Sequence, residues 1–187
     1  MEKSSVSYVF HEICGLIAGC RYEIMKWPTR DEHLKTAAQI RSRYHFPNCV
    51  GFIDGCHIEI KAPANNPTDF YNRKETHSII LQAVCDDSLK LVDIYIGQTG
   101  RAHDAGVFRE SPLGDQIQHI IVSEKYHILA DSGYTLNMNI MTPYKDDGFL
   151  TDAEVKYNII HSKARSTIER CLGLLKTKFE IEVFGNK

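Results

Sequence analysis

Apolar residues recur along this chain in two rhythms. Between residues 5 and 26 they fall at Val6, Val9, Phe10, Ile13, Leu16 and Ile17, the three-and-four spacing of one helix face. TRDEHLKTAAQIRSRY predicts a second short helix, with Thr29 as its cap. The Pro47-Asn48 step ends this helical leader, and the extended run from about Cys49 to Ile60 predicts a strand. SIILQAVCDDSLKLVDIYIG predicts two more, at 78–85 and 89–96, joined as a hairpin by Asp86, Asp87 and Ser88. A Gly-rich loop and a short helix near 104–110 come next, and then KYHILADSGY, whose apolar run ends on Asp131, Ser132 and Gly133. TDAE at 151–154 has capping-box spacing and opens a long helix to about Phe179, with Ile168, Leu172, Leu175 and Phe179 on one face.

Composition narrows the class. A chain of 187 residues that is 43% apolar can build one domain with a real core, with room for a small appended piece. Six cysteines without a C-x-x-C pair suit a reducing compartment better than a disulfide scaffold. The N-terminus has no basic segment followed by an apolar core, and no apolar stretch reaches the roughly eighteen residues of a membrane span, so the chain reads as intracellular and soluble. A net charge of -2 argues against indiscriminate coating of nucleic acid. Any such contact must come from a local patch, and residues 156 to 178 supply one: Lys156, Lys163, Arg165, Arg170, Lys176 and Lys178 against Glu169 alone. No internal repeat or low-complexity tract is present.

Two of the apolar runs carry an aspartate, and that is where the candidate chemistry lies. Asp54 interrupts GFIDGCHIEI, and Asp131 ends ILADSGY. On the late helix Arg165, Glu169, Gly173 and Lys176 form a polar stripe beside the apolar face, so Glu169 sits at the core edge. Three carboxylates brought to one point repel unless a cation joins them, and an all-oxygen set suits Mg²⁺ or Mn²⁺. Plainer roles stand beside these. Asp54 is equally a buried acid bonded to backbone amides, Asp131 a turn or helix cap, Glu169 the partner of Arg165, Asp104 a helix N-cap, and the basic stripe a solvated face. Gly173 within a helix costs about 1 kcal/mol relative to Ala and hints at close approach by backbone or substrate. His57-x-Glu59 suggests a zinc deaminase, but no P-C-x-x-C follows it.

From about Phe46 to Phe179 the chain resembles the DDE nuclease domain of PIF/Harbinger-type transposases and of nucleases domesticated from them. Four blocks carry the resemblance in order: GFIDGCHIEIKAP, GQTGRAHDAGVFRES, ILADSGY and HSKARSTIERCLGLLKTKF. It implies an α/β, RNase H-like fold, a five-stranded mixed sheet of order 3-2-1-4-5 flanked by helices. The implied division is a helical leader over 1–45, like the end of a helix-turn-helix region, and a nuclease domain over 46–187 that looks truncated at its C-terminus, leaving Glu169 short of its usual support. Asp54, Asp131 and Glu169 take the catalytic and metal-binding positions, His103 and Asp104 a signature pair, and Arg165, Arg170 and Lys176 would hold DNA phosphates. The implied reaction is phosphodiester hydrolysis, with strand transfer in a transposase, using two divalent ions (Mg²⁺ or Mn²⁺) about 4 Å apart. The implied partners are DNA and a Myb-like DNA-binding protein, with no membrane and an open oligomeric state, and the implied location is the nucleus as well as the cytoplasm, although no basic import signal is visible. The alternative function is a catalytically silent remnant that binds DNA or protein.

Overall fold

Two threonine-led capping boxes show how directly local sequence sets the helices. The computed structural model describes residues 5–121 and 125–179. Helices α1 (Ser5–Gly19), α2 (Arg21–Ile24) and α3 (Arg30–Tyr44) come first. At the start of α3 the Glu32 carboxylate accepts from Thr29 N at 2.7 Å while Thr29 Oγ1 accepts from Glu32 N. The helix ends at His45 in the left-handed conformation (φ 60), and Asn48 (φ 56) completes the turn into strand β1 (Cys49–Glu59). After a 3-10 turn at Pro67–Phe70 come β2 (Ser78–Cys85) and β3 (Leu91–Thr99). Their turn is tied by Asp86 Oδ1, which accepts from Ser88 N and Lys90 N, both at 2.9 Å.

Next is α4 (Asp104–Glu110), then α5 (Pro112–Ile120), which the periodicity reading did not anticipate. Ser111 Oγ accepts from Gly114 N, Pro112 occupies the first turn, and Leu113 and Ile117 are buried one turn apart. Strands β4 (His127–Leu129) and β5 (Ile140–Met141) and helix α6 (Asp152–Lys178) complete the chain, and Thr151 and Glu154 form the second capping box.

The sheet order is β3-β2-β1-β4-β5. Strand β1 is antiparallel to β2 and parallel to β4, and β5 is parallel to β4. This is the expected mixed RNase H-like sheet flanked by helices. A register irregularity between Cys49 and Gly51 resets the alternation of β1. Beyond it Phe52, Cys56 and Ile58 pack in the cluster that contains Ile168 and Leu172 of α6, and Ile53 packs in the opposite cluster with Leu113 and Ile117 of α5. Asp54 falls by alternation on the α6 side. Phe52 and Ile53 are fully buried, each contributing about 1.5–3 kcal/mol, so the strand that carries Asp54 is anchored on both faces.

The N-terminal helices divide sharply. Helix α3 buries His33, Thr36, Ala37 and Ile40 against the sheet, but α1 buries none of its residues. On α6 the expected apolar face buries Ile168 and Leu172, while Phe179 stays exposed. Among the described residues no helix is long and apolar enough to cross a membrane, and all six cysteines are free thiols.

Candidate active site

Parallel pairing of β1 with β4 matches Phe52 to Leu129, and the same register carried two residues on sets Asp54 abreast of Asp131. Asp54 Oδ1 accepts from Gly55 N at 2.9 Å, and its Oδ2 accepts from Arg165 Nη1 at 3.0 Å. Asp131 Oδ1 accepts from Gly133 N at 2.9 Å, an Asx turn just past the strand end. Arg165 Nη2 donates to Glu169 Oε1, so one guanidinium spans Asp54 and Glu169. The plain pairing of Glu169 with Arg165 is therefore present, and the same pairing ties both to the site. Arg165 is one-fifth exposed and Glu169 half exposed.

Asp104 is the fourth acid. The N-cap of α4 is His103, without a side-chain capping bond, so Asp104 is the first helical residue and the N-cap reading of it does not hold. Its carboxylate instead turns back onto two glycines. Asp104 Oδ1 rests where a Gly55 side chain would begin, and Oδ2 lies 2.9 Å from the place a Gly133 Cβ would occupy, with Asp131 Oδ1 at 3.1 Å from that same place. Gly55 and Gly133 each follow a site aspartate closely, and their missing side chains make the room in which the acids meet. That signal was present in FIDG and ADSG.

Crowding shows in the proton affinities. Burial pushes the Asp54 carboxyl up to about 6; the Arg165 charge pulls it down but does not win, and the charges of Asp131 and Asp104 push the same way as burial. Asp104 is raised by burial and then by Asp131. The Tyr134 phenol, buried beside Gln82, is raised well above its ordinary value by burial and by the same three aspartates.

Among the described residues no three His, Cys, Asp or Glu side chains are grouped closely enough to hold a metal ion. The guanidinium of Arg165 provides the positive charge between Asp54 and Glu169. The donor chemistry nevertheless fits a hard divalent cation: the oxygens of Asp54, Asp131 and Glu169, with Asp104 adjoining, are the donors Mg²⁺ and Mn²⁺ take.

His103 is exposed, 3.4 Å from Arg73 Nη2 through its Nδ1. Arg170 is exposed on α6, and Lys176 is half-buried with its charge acting on Cys56 and His57. Among the described residues no atom outside the surrounding turns of its own helix lies within 4 Å of where a Gly173 side chain would begin, so no other segment approaches it.

Residues 53–183 match the family described as DDE superfamily endonuclease. The chain belongs to that family. Within it, the chain is 32% identical over 133 residues to the protein named "Putative nuclease HARBI1" of Bos taurus, covering 71% of this chain and 37% of that protein. The Homo sapiens protein of the same name gives the same identity and coverage. "Protein ALP1-like" of Arabidopsis thaliana is 26% identical over 97% of this chain and 47% of its own length. The chain thus spans less than half the length of these relatives. No solved structure matches it.

Proposed function

We propose that the chain is a divalent-metal-dependent DNA endonuclease of transposase origin, cutting phosphodiester bonds through Asp54, Asp131 and Glu169. The observation that supports this reading most is the approach of Asp104 to Asp131 at Gly133, with both charges felt by the buried Asp54, whose carboxylate is paired with Arg165. A buried excess of carboxylate is costly unless a cation relieves it.

Asp54, Asp131 and Glu169 would hold Mg²⁺ or Mn²⁺, which when bound activates water and stabilises charge on the leaving oxygen. The residues of the chain do the positioning. Asp54 is fixed by the burial of Phe52 and Ile53 beside it, and Asp131 by the amide of Gly133. Arg165 pairs with both Asp54 and Glu169, offsetting one of their two charges, and would have to release at least one of them for both to serve as metal ligands. Asp104, behind Gly55 and Gly133, keeps the local potential negative and so favours cation entry.

A second reading, a silent module that binds DNA or protein, is favoured by the same Arg165 pairing, since a guanidinium already satisfies two of the three acids. Incubating supercoiled DNA with the chain and Mn²⁺ or Mg²⁺, beside Asp54→Ala and Glu169→Ala, separates the two. The expected result is nicking by wild type that drops on the order of a thousandfold in Asp54→Ala. Nicking that survives both substitutions removes the acids from the mechanism. Absence of both nicking and Mn²⁺ binding in wild type leaves the silent module.

A further inference from the structure

A cavity of about 500 Å³ opens beside the acids, between the turn that follows the 3-10 segment and the loop joining β3 to α4. Ligand sites commonly span roughly 300–1,000 Å³. The charged residues that line it are Arg73, Lys74, Arg101 and Asp104, with His57 and His103 between them. Among the described residues Arg73, Lys74 and Arg101 have no acidic partner within ion-pair distance, which is unusual for three cations around one hollow. Glu75, in the same turn, does not line it.

The hollow is braced. Asn72 Oδ1 accepts from Lys74 N at 2.8 Å and from Thr76 N at 3.3 Å, closing the turn that presents Arg73 and Lys74. Asn72 Nδ2 donates to the buried Ser78 Oγ at 2.8 Å, and His57 Nδ1 is 2.8 Å from that same oxygen. Gly100 N donates to Ser78 O at 2.8 Å, and a side chain at Gly100 would strike Phe70 O and Ser78 O. Arg101 N donates to Asp69 O at 3.2 Å, which fixes the third cation to the 3-10 turn. Asp104 belongs to both places, lining the cavity while its carboxylate touches Gly55 and Gly133.

We propose that this cavity is a phosphodiester subsite, in which Arg73, Lys74 and Arg101 hold the backbone of the DNA strand running on from the phosphate at the acid cluster. The proposal rests on the nuclease reading for its substrate but not for its chemistry. A cavity edged by three cations against the single carboxylate of Asp104, none of them ion-paired among the described residues, recognises an anion, and its shared wall at Asp104 makes it continuous with the site of cutting. Arginine offers the forked donors that phosphate oxygens accept. Lys176, whose charge reaches His57 from α6, extends the positive field across β1. Arg165, occupied by Asp54 and Glu169, is not free for this work.

The test is binding of a fluorescent oligonucleotide duplex by the full chain in EDTA, so that cutting plays no part, between about 50 and 200 mM salt. For Arg73→Ala/Arg101→Ala the expected result is at least tenfold weaker binding. The slope of log affinity against log salt should become shallower by about 0.9 for each phosphate the protein no longer neutralises. Arg101→Lys should recover part of the affinity, and thermal melts should match wild type because both arginines are exposed. Unchanged affinity and slope in the double variant, with weaker binding instead in Arg170→Ala/Lys176→Ala, overturns the subsite and leaves the nuclease reading intact. Absence of duplex binding by wild type also overturns it. Displacement of the duplex by inorganic phosphate at stoichiometric levels contradicts the strand assignment in favour of a free-phosphate site. If the cavity variants lose binding while wild type fails to nick DNA with Mn²⁺, the subsite stands and the nuclease reading falls.

Discussion

The two faces of β1 treat their acids differently. On the α6 face Asp54 meets Arg165, which also holds Glu169, so one positive charge offsets part of the charge of two acids. From the other face Asp104 reaches through the gap at Gly55 and approaches Asp131 past the end of β4, at Gly133, with no ion pair to either acid among the described residues. The first face is closed by a residue of the chain itself; on the second the two acids meet without an ion pair, and only the charges of His57, His103 and Arg73 act on Asp104 against the push of Asp131. In the proposed function both would serve: an arrangement stable without the ion, and unpaired carboxylates whose field would draw it in.

The largest effect expected from disturbing this balance is in the pH dependence of stability. Asp54 has a pKa of about 6 when folded against 3.8 as the ordinary value. Between those values the folded state holds more protons than the unfolded one, so the contribution of Asp54 to stability falls as pH rises. Relative to wild type, Asp54→Asn is expected to gain stability across that window, by up to about 3 kcal/mol. His127 works in the opposite sense. Burial takes it down to about 4 against 6.5, so its contribution is present above pH 6.5 and is lost as pH falls through 4. In wild type the two slopes oppose each other; Asp54→Asn removes one of the slopes that oppose the acid destabilisation from His127, and the profile steepens. Urea melts of both proteins at pH 4 and 6.5 measure this, and parallel profiles would show that Asp54 is not a buried, crowded acid.

A somewhat smaller effect is expected from filling the gap on the Asp104 face. Gly55→Ala puts a methyl where Asp104 Oδ1 rests, and overpacking of this kind costs about 1–3 kcal/mol. Adding Asp104→Ala should restore most of that stability in thermal melts. A double variant no more stable than the single one would mean that Asp104 is not what the methyl meets.

Smallest is the effect on the α6 face. Arg165→Ala leaves Asp54 and Glu169 without their counter-charge, and with Glu169 half exposed the cost should be about 1–2 kcal/mol at pH 7. Saturating Mn²⁺ should shrink that difference, because ligand bound to the folded state restores the charge. An equal destabilisation with and without Mn²⁺ would show that Arg165 and the cation do not share the acids.

Much of this was legible in the sequence, for local reasons. Thr29 with Glu32 and Thr151 with Glu154 start their helices through side-chain bonds three residues long, and Asp86 ties its hairpin within four. Helix α5 was missed: Ser111-Pro112 and the spacing of Leu113 and Ile117 mark it, but its nine residues sit between stronger signals. Strand β5, only two residues long, offers no period to read, and its place came from family resemblance alone. The apolar face of α1 predicted a helix correctly yet buried nothing, since periodicity reports a face and not what covers it. At the site, FIDG and ADSG marked the acids. The double grip of Arg165 joins positions 111 residues apart, and the cations of the cavity come from two separate loops, so neither could be read along the chain.

Mn²⁺ binding measured by calorimetry on wild type, Asp54→Ala and Arg165→Ala bears most directly on the claim that these acids form a cation site guarded by an arginine. The expected result is binding by wild type, loss of that binding in Asp54→Ala, and tighter binding in Arg165→Ala, where no guanidinium competes. Wild type and Asp54→Ala binding Mn²⁺ alike, or neither binding it, would contradict the claim.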